Sequence, residues 1–231
     1  MGGRELALNG GSPFRDDGPE AIKAARVRWR RRQIVDAATG LLIRVGFQRM
    51  LITELAKEAG VSVGTIYQYV DSKEDILTLI VRDILETYRA EVPAAMEGIE
   101  DPIERLQAGF RAYCSIVDER RAATLLAYQE GKNVPKKGLE DLKNMELETN
   151  SYFADCIRDA VRQGRACCTE PDLTAFNLTM LAHTWALKHW YLKSHFSLDE
   201  YIRLQLGAVL RSIVSDEYHD AYKHLTGVAE A

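Results

Sequence analysis

No apolar run in this 231-residue chain approaches the ~20 residues needed to cross a bilayer. The first residues also lack the apolar core of a signal peptide, so the expectation is a cytoplasmic protein with no membrane partner. Cysteine is scarce, at positions 114, 156, 167 and 168. Four in such a chain read as reduced thiols rather than bridges. The Cys167–Cys168 pair fits no common zinc spacing, and neither a metal nor a cofactor is expected. Common catalytic signatures are missing too: there is no Gly-rich phosphate loop, no HExxH pair and no Gly-x-Ser-x-Gly elbow. Scattered His and carboxylate residues occur in any chain of this size, so an enzyme is not the reading.

What is present is ample apolar material, 46% of residues, and an uneven charge. The net charge is −4, which argues against a nucleic-acid partner if read as a total. Its distribution reverses that argument. Residues 21–73 hold ten basic side chains against four acidic ones, while the rest of the chain is acidic. A basic patch on an acidic protein is a directed field. Lys23, Arg26, Arg28, Arg30, Arg31 and Arg32 follow one another with no acid among them. They read as an arm for phosphate contacts, with a minor-groove contact by one or two arginines open.

Thr53 to Lys73 is the most informative stretch. Leu55, Ala56 and Ala59 make one apolar face of a short helix, and Gly60 ends it. Ser62 is placed to cap a second helix, Val63 to Val70, anchored by Ile66 and Val70. Gly64, Thr65, Tyr67 and Gln68 then face outward. Two short helices about a tight turn, the second polar outside, form a helix-turn-helix. An ordinary helical corner has the same spacing. A helix over about 27–45 precedes the motif. Asp71 or Ser72 opens a third, whose rows Ile76, Ile80, Ile84 and Leu77, Val81, Leu85 bury a wide face until Pro93 interrupts.

The remainder reads as all-helical. Asp101-Pro102 opens a helix with the stripe Ile103, Leu106, Phe110, Tyr113, Cys114 and Val117. Further helices are expected near 122–131, 139–163, 172–193 and 198–214. The 172–193 stretch is apolar nearly all round, so it must be covered on several sides. Polar groups among apolar helices suggest a ligand pocket built from Phe110, Tyr113, Cys114, Tyr128, Gln129, Asn150, Phe153, Met180 and His183. An apolar, aromatic lining favours an aromatic or fatty-acyl effector, as free acid or CoA ester. Lys132, Lys136 and Lys137 are available to an anionic head group.

Ile34-Val-Asp-Ala-Ala38, Gly46-Phe47, Leu55-Ala-Lys-Glu-Ala-Gly-Val-Ser62, Gly64-Thr-Ile-Tyr67 and Ser72-Lys-Glu74 resemble the N-terminal domain of the tetracycline-repressor (TetR) family. The resemblance covers roughly residues 27–85. It implies a homodimeric transcriptional regulator, usually a repressor, released from a near-palindromic DNA operator by a small molecule. Carried over by position, Gly64, Thr65 and Gln68 reach bases, with Tyr69 beside them. Tyr67 and Lys73 touch phosphate, and Thr53, Ser62, Arg28, Arg30, Arg31 and Arg32 complete the DNA-binding set. The chain departs from the family pattern at Val63, where Lys is common, at Val70, often Phe, and at Met50-Leu51, often a capping Ser or Thr. The resemblance implies dimerisation through the last two long helices, and Leu178, Trp185, Leu192, Leu206, Leu210 and Ile213 are candidates for the core or for that dimer interface.

The expected architecture is therefore all-α in two domains. Residues 1–25 form a disordered tail and 26–73 a helix-turn-helix DNA-binding domain. Residues 74–231 form a helical ligand-binding and dimerisation domain, including a connecting helix over 72–92. Ligand among the Phe110, Phe153 and His183 helices is expected to tilt that helix. The alternative is a helical adaptor using its corner for protein contacts, which would lack the steep salt dependence of DNA binding.

Overall fold

The computed structural model describes residues 19–226. Eleven α-helices account for most of them: α1 Pro19–Val45, α2 Ile52–Glu58, α3 Val63–Ile66, α4 Asp75–Met96, α5 Pro102–Glu119, α6 Arg121–Glu130, α7 Leu139–Arg162, α8 Pro171–Leu187, α9 His189–Leu192, α10 Leu198–Ile213 and α11 Lys223–Thr226. The only β pairing among the described residues is an isolated bridge between Ala166 and Val214. The expected all-α class holds, and one apolar core runs from Ile34 to Leu225.

Several boundaries differ from expectation. The recognition helix α3 ends at Ile66 rather than Val70, and Tyr67 to Tyr69 continue as a turn. Most of the proposed tail lies outside the described residues, but 19–25 are already helical. Pro at the first helical position and the Ala-rich stretch that follows favour that early start. The basic arm is thus part of a helix. The connecting helix opens at Asp75 rather than at 71 or 72. The Asp75 carboxylate accepts the N–H groups of Asp71 and Ser72 at 3.2 and 2.8 Å, and the Ser72 hydroxyl at 2.8 Å. That clasp holds 71–74 in a loop. At the other end, α4 continues through Pro93 to Met96. Only one intrahelical N–H is lost there, and buried Val92 before it and half-buried Met96 after it keep the row packed on the core.

Caps mark the other ends. Asp101 accepts the N–H groups of Ile103 and Glu104 at 2.9 and 3.1 Å, and Ser197 and Glu200 form a reciprocal capping box on α10. Leu51 gives α2 no side-chain cap, as its departure from the family pattern implied. The expected 172–193 helix is broken at Lys188 into α8 and the short α9.

Candidate functional site

The α2–α3 corner presents the first candidate surface. Gly60 holds φ +62°, a left-handed value that turns the chain tightly between the helices. Ser62 Oγ accepts the Thr65 N–H at 3.0 Å and lies 2.9 Å from the Thr65 hydroxyl. The cap therefore engages both the backbone N–H and the hydroxyl of Thr65. Ile66 and Val70 are buried and pin α3 to the core, while Ser62, Gly64, Tyr67 and Gln68 are exposed. Thr53 is exposed at the start of α2. Tyr69 is half-buried and packs on the core, so it does not stand beside Gln68 as an equal surface group. Lys73 Nζ donates to the Gln48 carbonyl at 2.9 Å and sits 4.9 Å from the centre of the Phe47 ring. That clasp closes the domain's loops.

The basic helix divides into two parts. Lys23, Arg26 and Arg28 are exposed, and Arg30 donates to Gln33 at 2.9 Å while lying over Trp29. Arg31 and Arg32 instead turn inward, which corrects the expectation of an uninterrupted phosphate-contacting arm. Arg31 donates to Glu86 at 2.6 Å and approaches Asp83 at 3.9 Å; Arg32 donates to Asp83 at 3.2 Å. Arg120, at the α5–α6 junction, donates to Asp36 at 3.0 Å and lies 3.9 Å from Asp83. With side-chain exposures of 12% for Asp83 and 10% for Arg120, this node joins α1, α4 and α6. Burial raises the pKa of Asp83, outweighing the arginines that lower it. The pairs thus position the helices without a large net gain in stability.

A cavity of about 270 Å³ lies on the opposite side of α4 from α1's arginine pairs. Val81, Ile84, Leu85 and Tyr88 of α4 form one wall; Thr124, Ala127 and Tyr128 of α6 and Leu142 of α7 form others. Tyr113 and His183 close the inner side, and Gly131, Val134, Lys143 and Glu146 surround the opening. The rings of Tyr88 and Tyr113 stack at 4.0 Å. His183 bridges two phenols: Tyr113 Oη is 3.0 Å from Nε2, and Tyr128 Oη is 2.9 Å from Nδ1. Burial lowers the His183 pKa to about 4, so the imidazole is neutral at pH 7. A neutral imidazole donates to one of these phenols and accepts from the other.

Tyr113, Tyr128 and His183 are the predicted pocket residues that reach this cavity. Phe110, Cys114 and Phe153 are fully buried behind it, with the two phenylalanines meeting edge to face. Asn150 is also buried and accepts from the Thr179 hydroxyl at 3.3 Å. Gln129 and Met180 are exposed outside the lining, although the Tyr128 hydroxyl reaches the Met180 sulfur at 3.5 Å. These six are corrected to core or surface. Sequence reasoning passed over Tyr88 and Thr124. Tyr88 continues the Ile76, Ile80, Ile84 row by one turn and was legible there; nothing local singled out Thr124.

Of the two roles left open for the α8 and α10 set, core or interface, the single chain favours the core for most. Leu178, Trp185, Leu206, Leu210 and Ile213 are buried within the single chain, and Trp185 donates to Asp118 at 2.7 Å. Leu192 is half-buried. The apolar side chains that α8 and α10 leave open are Leu173, Met180 and Leu204, at 59, 46 and 43% exposure. Among the described residues no three His, Cys, Asp or Glu side chains cluster as a metal site would require, and no helix is long and apolar enough to cross a membrane.

Comparison with known proteins bears directly on both halves. Residues 34–80 match the family described as bacterial regulatory proteins, tetR family, and residues 100–196 match the tetracyclin repressor-like C-terminal domain. The chain is 37% identical over 205 residues to the HTH-type transcriptional regulator HbdR of Aromatoleum sp. (strain CIB), covering 89% of this chain and 90% of that one. Its fold resembles the TetR family regulator PfmR of Thermus thermophilus, with a TM-score of 0.67 at 20% identity over 78% of this chain and 97% of that one. It also resembles AibR, solved in complex with isovaleryl coenzyme A and operator DNA, with a TM-score of 0.63 at 19% identity over 79% and 97% of the two chains.

Proposed function

This chain belongs to the tetR family of bacterial regulatory proteins and is a DNA-binding transcriptional regulator, and from that premise we propose that it acts as a homodimeric repressor whose near-palindromic operator is released by a small, largely hydrophobic ligand. In this reading α3 enters the major groove. Gln68 hydrogen-bonds a base edge, the Thr65 methyl meets an apolar base edge, and Gly64 lets the backbone approach closely. Tyr67, Ser62 and Thr53 face phosphate, as do Arg28 and Arg30 at the start of the basic helix. Lys73 acts chiefly as the clasp on Gln48, and Arg31 and Arg32 as the tie to α4. Residues 26–73 form the DNA-reading unit and 74–231 the effector and dimer unit, with α4 shared between them. Leu173, Met180 and Leu204 supply the apolar surface on which two copies meet.

The observation that carries the switch is the double duty of α4. Val81, Ile84, Leu85 and Tyr88 line the cavity, while Asp83 and Glu86 on the same helix hold the arginines of α1. A ligand that wedges the cavity moves α4, and α4 carries α1 and the recognition helix with it. Release requires only that ligand bind the DNA-free arrangement better than the bound one. A coupling of about 1–3 kcal/mol weakens operator binding roughly 5- to 150-fold. AibR's bound isovaleryl coenzyme A supports a short acyl or aromatic group, as ester or free acid, as the ligand class here. The test is operator selection from random duplexes with the full chain, followed by a salt titration. A sequence-independent affinity with a shallow salt slope would favour the adaptor reading instead.

A further inference from the structure

The charges at the mouth of the cavity are not balanced. Its lining includes two charged side chains, Lys143 and Glu146, both on α7, together with His183, which is neutral. Lys143 is occupied: it donates to Glu140 at 2.7 Å, one turn back along α7 and outside the lining. The Glu146 side chain has no hydrogen bond or ion pair to any described residue. Its outer edge meets solvent, yet the lining encloses it enough for burial to raise its carboxyl pKa. The lysines of the adjoining loop do not pair with it either. Lys132, Lys136 and Lys137 are exposed, none belongs to the lining, and Lys137 lies 3.6 Å from Asp71.

That carboxylate acts on the inside of the cavity. Burial is the main cause of the raised pKa of the Tyr113 and Tyr128 phenols, and the Glu146 charge adds to it at both. Its field therefore covers the wall on which those phenols bridge His183. Two phenols and a neutral imidazole carry no net charge to answer it. The apolar remainder, Val81, Ile84, Leu85 and Leu142, does not screen it, so its effect is stronger there than in water. A carboxylate in the cavity would meet a like charge and no free cation, whereas a cationic group would gain a partner. Size restricts the ligand as well. Benzene fills an engineered cavity of roughly 150 Å³, so about 270 Å³ suits one ring or a short branched chain bearing a small polar group.

We propose that Glu146 sets the charge preference of the cavity, admitting a cationic or neutral group, such as an amidine, amide, ester or thioester, in preference to a free carboxylate of the same shape. This deepens the ligand-release reading and rests on it. Of the ester and the free acid, the cavity selects the ester, because esterification removes the charge that Glu146 opposes. A charge at the far end of a longer ligand is not restricted in this way, since it stays outside the mouth, where water and salt screen it. Glu146 is exposed at the rim and ties no helix to another, so its substitution separates charge selection from folding.

The test uses the full-length protein and three probes of nearly equal shape but different charge: benzamidine, benzamide and benzoate, titrated calorimetrically at pH 8 in 50 mM KCl. In the wild type affinity should fall in that order, with benzamide at least about fivefold tighter than benzoate, as a like charge a few ångströms away requires in a partly solvated site. Glu146→Gln should tighten benzoate about 5- to 20-fold, weaken benzamidine by a similar factor and leave benzamide within about twofold. In 500 mM KCl the wild-type spread should shrink, because salt screens a charge at the rim. Glu148→Gln removes the same charge two residues along α7, from a side chain paired with Arg89 and outside the lining. It should leave both the order and the spread unchanged. A wild type that binds all three alike, a spread that survives Glu146→Gln, or an equal collapse in Glu148→Gln would overturn this inference and leave the ligand pocket standing. If none of the three probes binds the wild type or either variant, the pocket reading falls with it.

Discussion

The outer face of α3 and the wall of the cavity both carry polar side chains, but they hold them under opposite conditions. Gln68, Tyr67 and Gly64 are exposed, so water satisfies them when DNA is absent. Tyr113, His183 and Tyr128 line the cavity and satisfy one another, through contacts of 3.0 and 2.9 Å to the two imidazole nitrogens. The first surface can be altered at little expense to the fold. The second is tied into the packing of α4, α5, α6 and α8, so altering it also alters the fold. Readout and sensing are thus separable by stability as well as by position, and substitutions can test the separation from either side.

The largest effect should come from a surface that belongs to neither region but on which both depend. Leu173→Glu with Leu204→Glu places two charges on the open apolar faces of α8 and α10. Loss of the dimer should reduce operator affinity by about 10²- to 10⁴-fold through lost bivalency, with the Tm of the chain nearly unchanged. Light scattering and fluorescence anisotropy measure the two halves of that expectation. Leu206→Glu, by contrast, buries a charge in the chain's own core and should unfold it, so it is not an interface probe.

Next in size is the pH response of the cavity. Burial holds the His183 pKa at about 4, below its ordinary value of 6.5. The unfolded chain therefore takes up this proton first. His183's contribution is fully present above pH 6.5 and is lost as pH falls toward 4, by up to roughly 3 kcal/mol. Asp36, Asp83 and Glu146, whose pKa values burial raises, act in the opposite sense and lose stability as pH rises. Comparing wild type with His183→Gln at each pH isolates the histidine. Urea unfolding from pH 7 to pH 4.5 should show a decline that the variant lacks; parallel curves would contradict a neutral buried imidazole.

On the DNA side, Gln68→Ala should weaken a selected operator by about 1–3 kcal/mol and relax base preference at one position. Its unfolding midpoint should stay within about 0.5 kcal/mol of wild type, as expected for an exposed side chain. A variant that lost stability and affinity together would erase the contrast drawn between the two regions.

The same contrast explains which residues could be read without coordinates. The α2–α3 corner is local: Leu55, Ala56 and Ala59, then Gly60, Ser62, Ile66 and Val70 define its shape within sixteen residues. The cavity is not local. Tyr113, Tyr128 and His183 come from three helices, and helical period shows only that each lies on an inward face. It cannot separate the side that meets a cavity from the side that meets another helix, which is why Phe110, Cys114 and Phe153 were grouped with them. For the same reason the period left Leu178, Leu206 and Leu210 open between core and interface, and all three are buried within the chain. Arg31 and Arg32 were misread because their partners, Asp83 and Glu86, lie about fifty residues away.

The smallest expected effect is also the one that divides the basic helix most sharply. Arg28 is exposed and has room to approach a phosphate, whereas Arg31 is 19% exposed and already held by Glu86 and Asp83. An arginine that neutralises a phosphate on binding displaces a counterion, and each such contact steepens the dependence of log K on log salt by ~0.9. An arginine neutralised within the protein displaces none. Arg28→Ala should therefore lower the salt slope by about one unit and weaken all duplexes alike. Arg31→Ala should leave the slope nearly unchanged, yet it should reduce the factor by which ligand releases DNA, since it cuts a tie between α1 and α4. Anisotropy titrations between 50 and 300 mM KCl, with and without isovaleryl coenzyme A, measure both quantities on the same two variants. Equal losses of slope from both would mean that Arg31 leaves Glu86 to meet DNA, and the tie between the reading helices and the cavity would then have to run through Arg32 with Asp83 and Asp36 with Arg120.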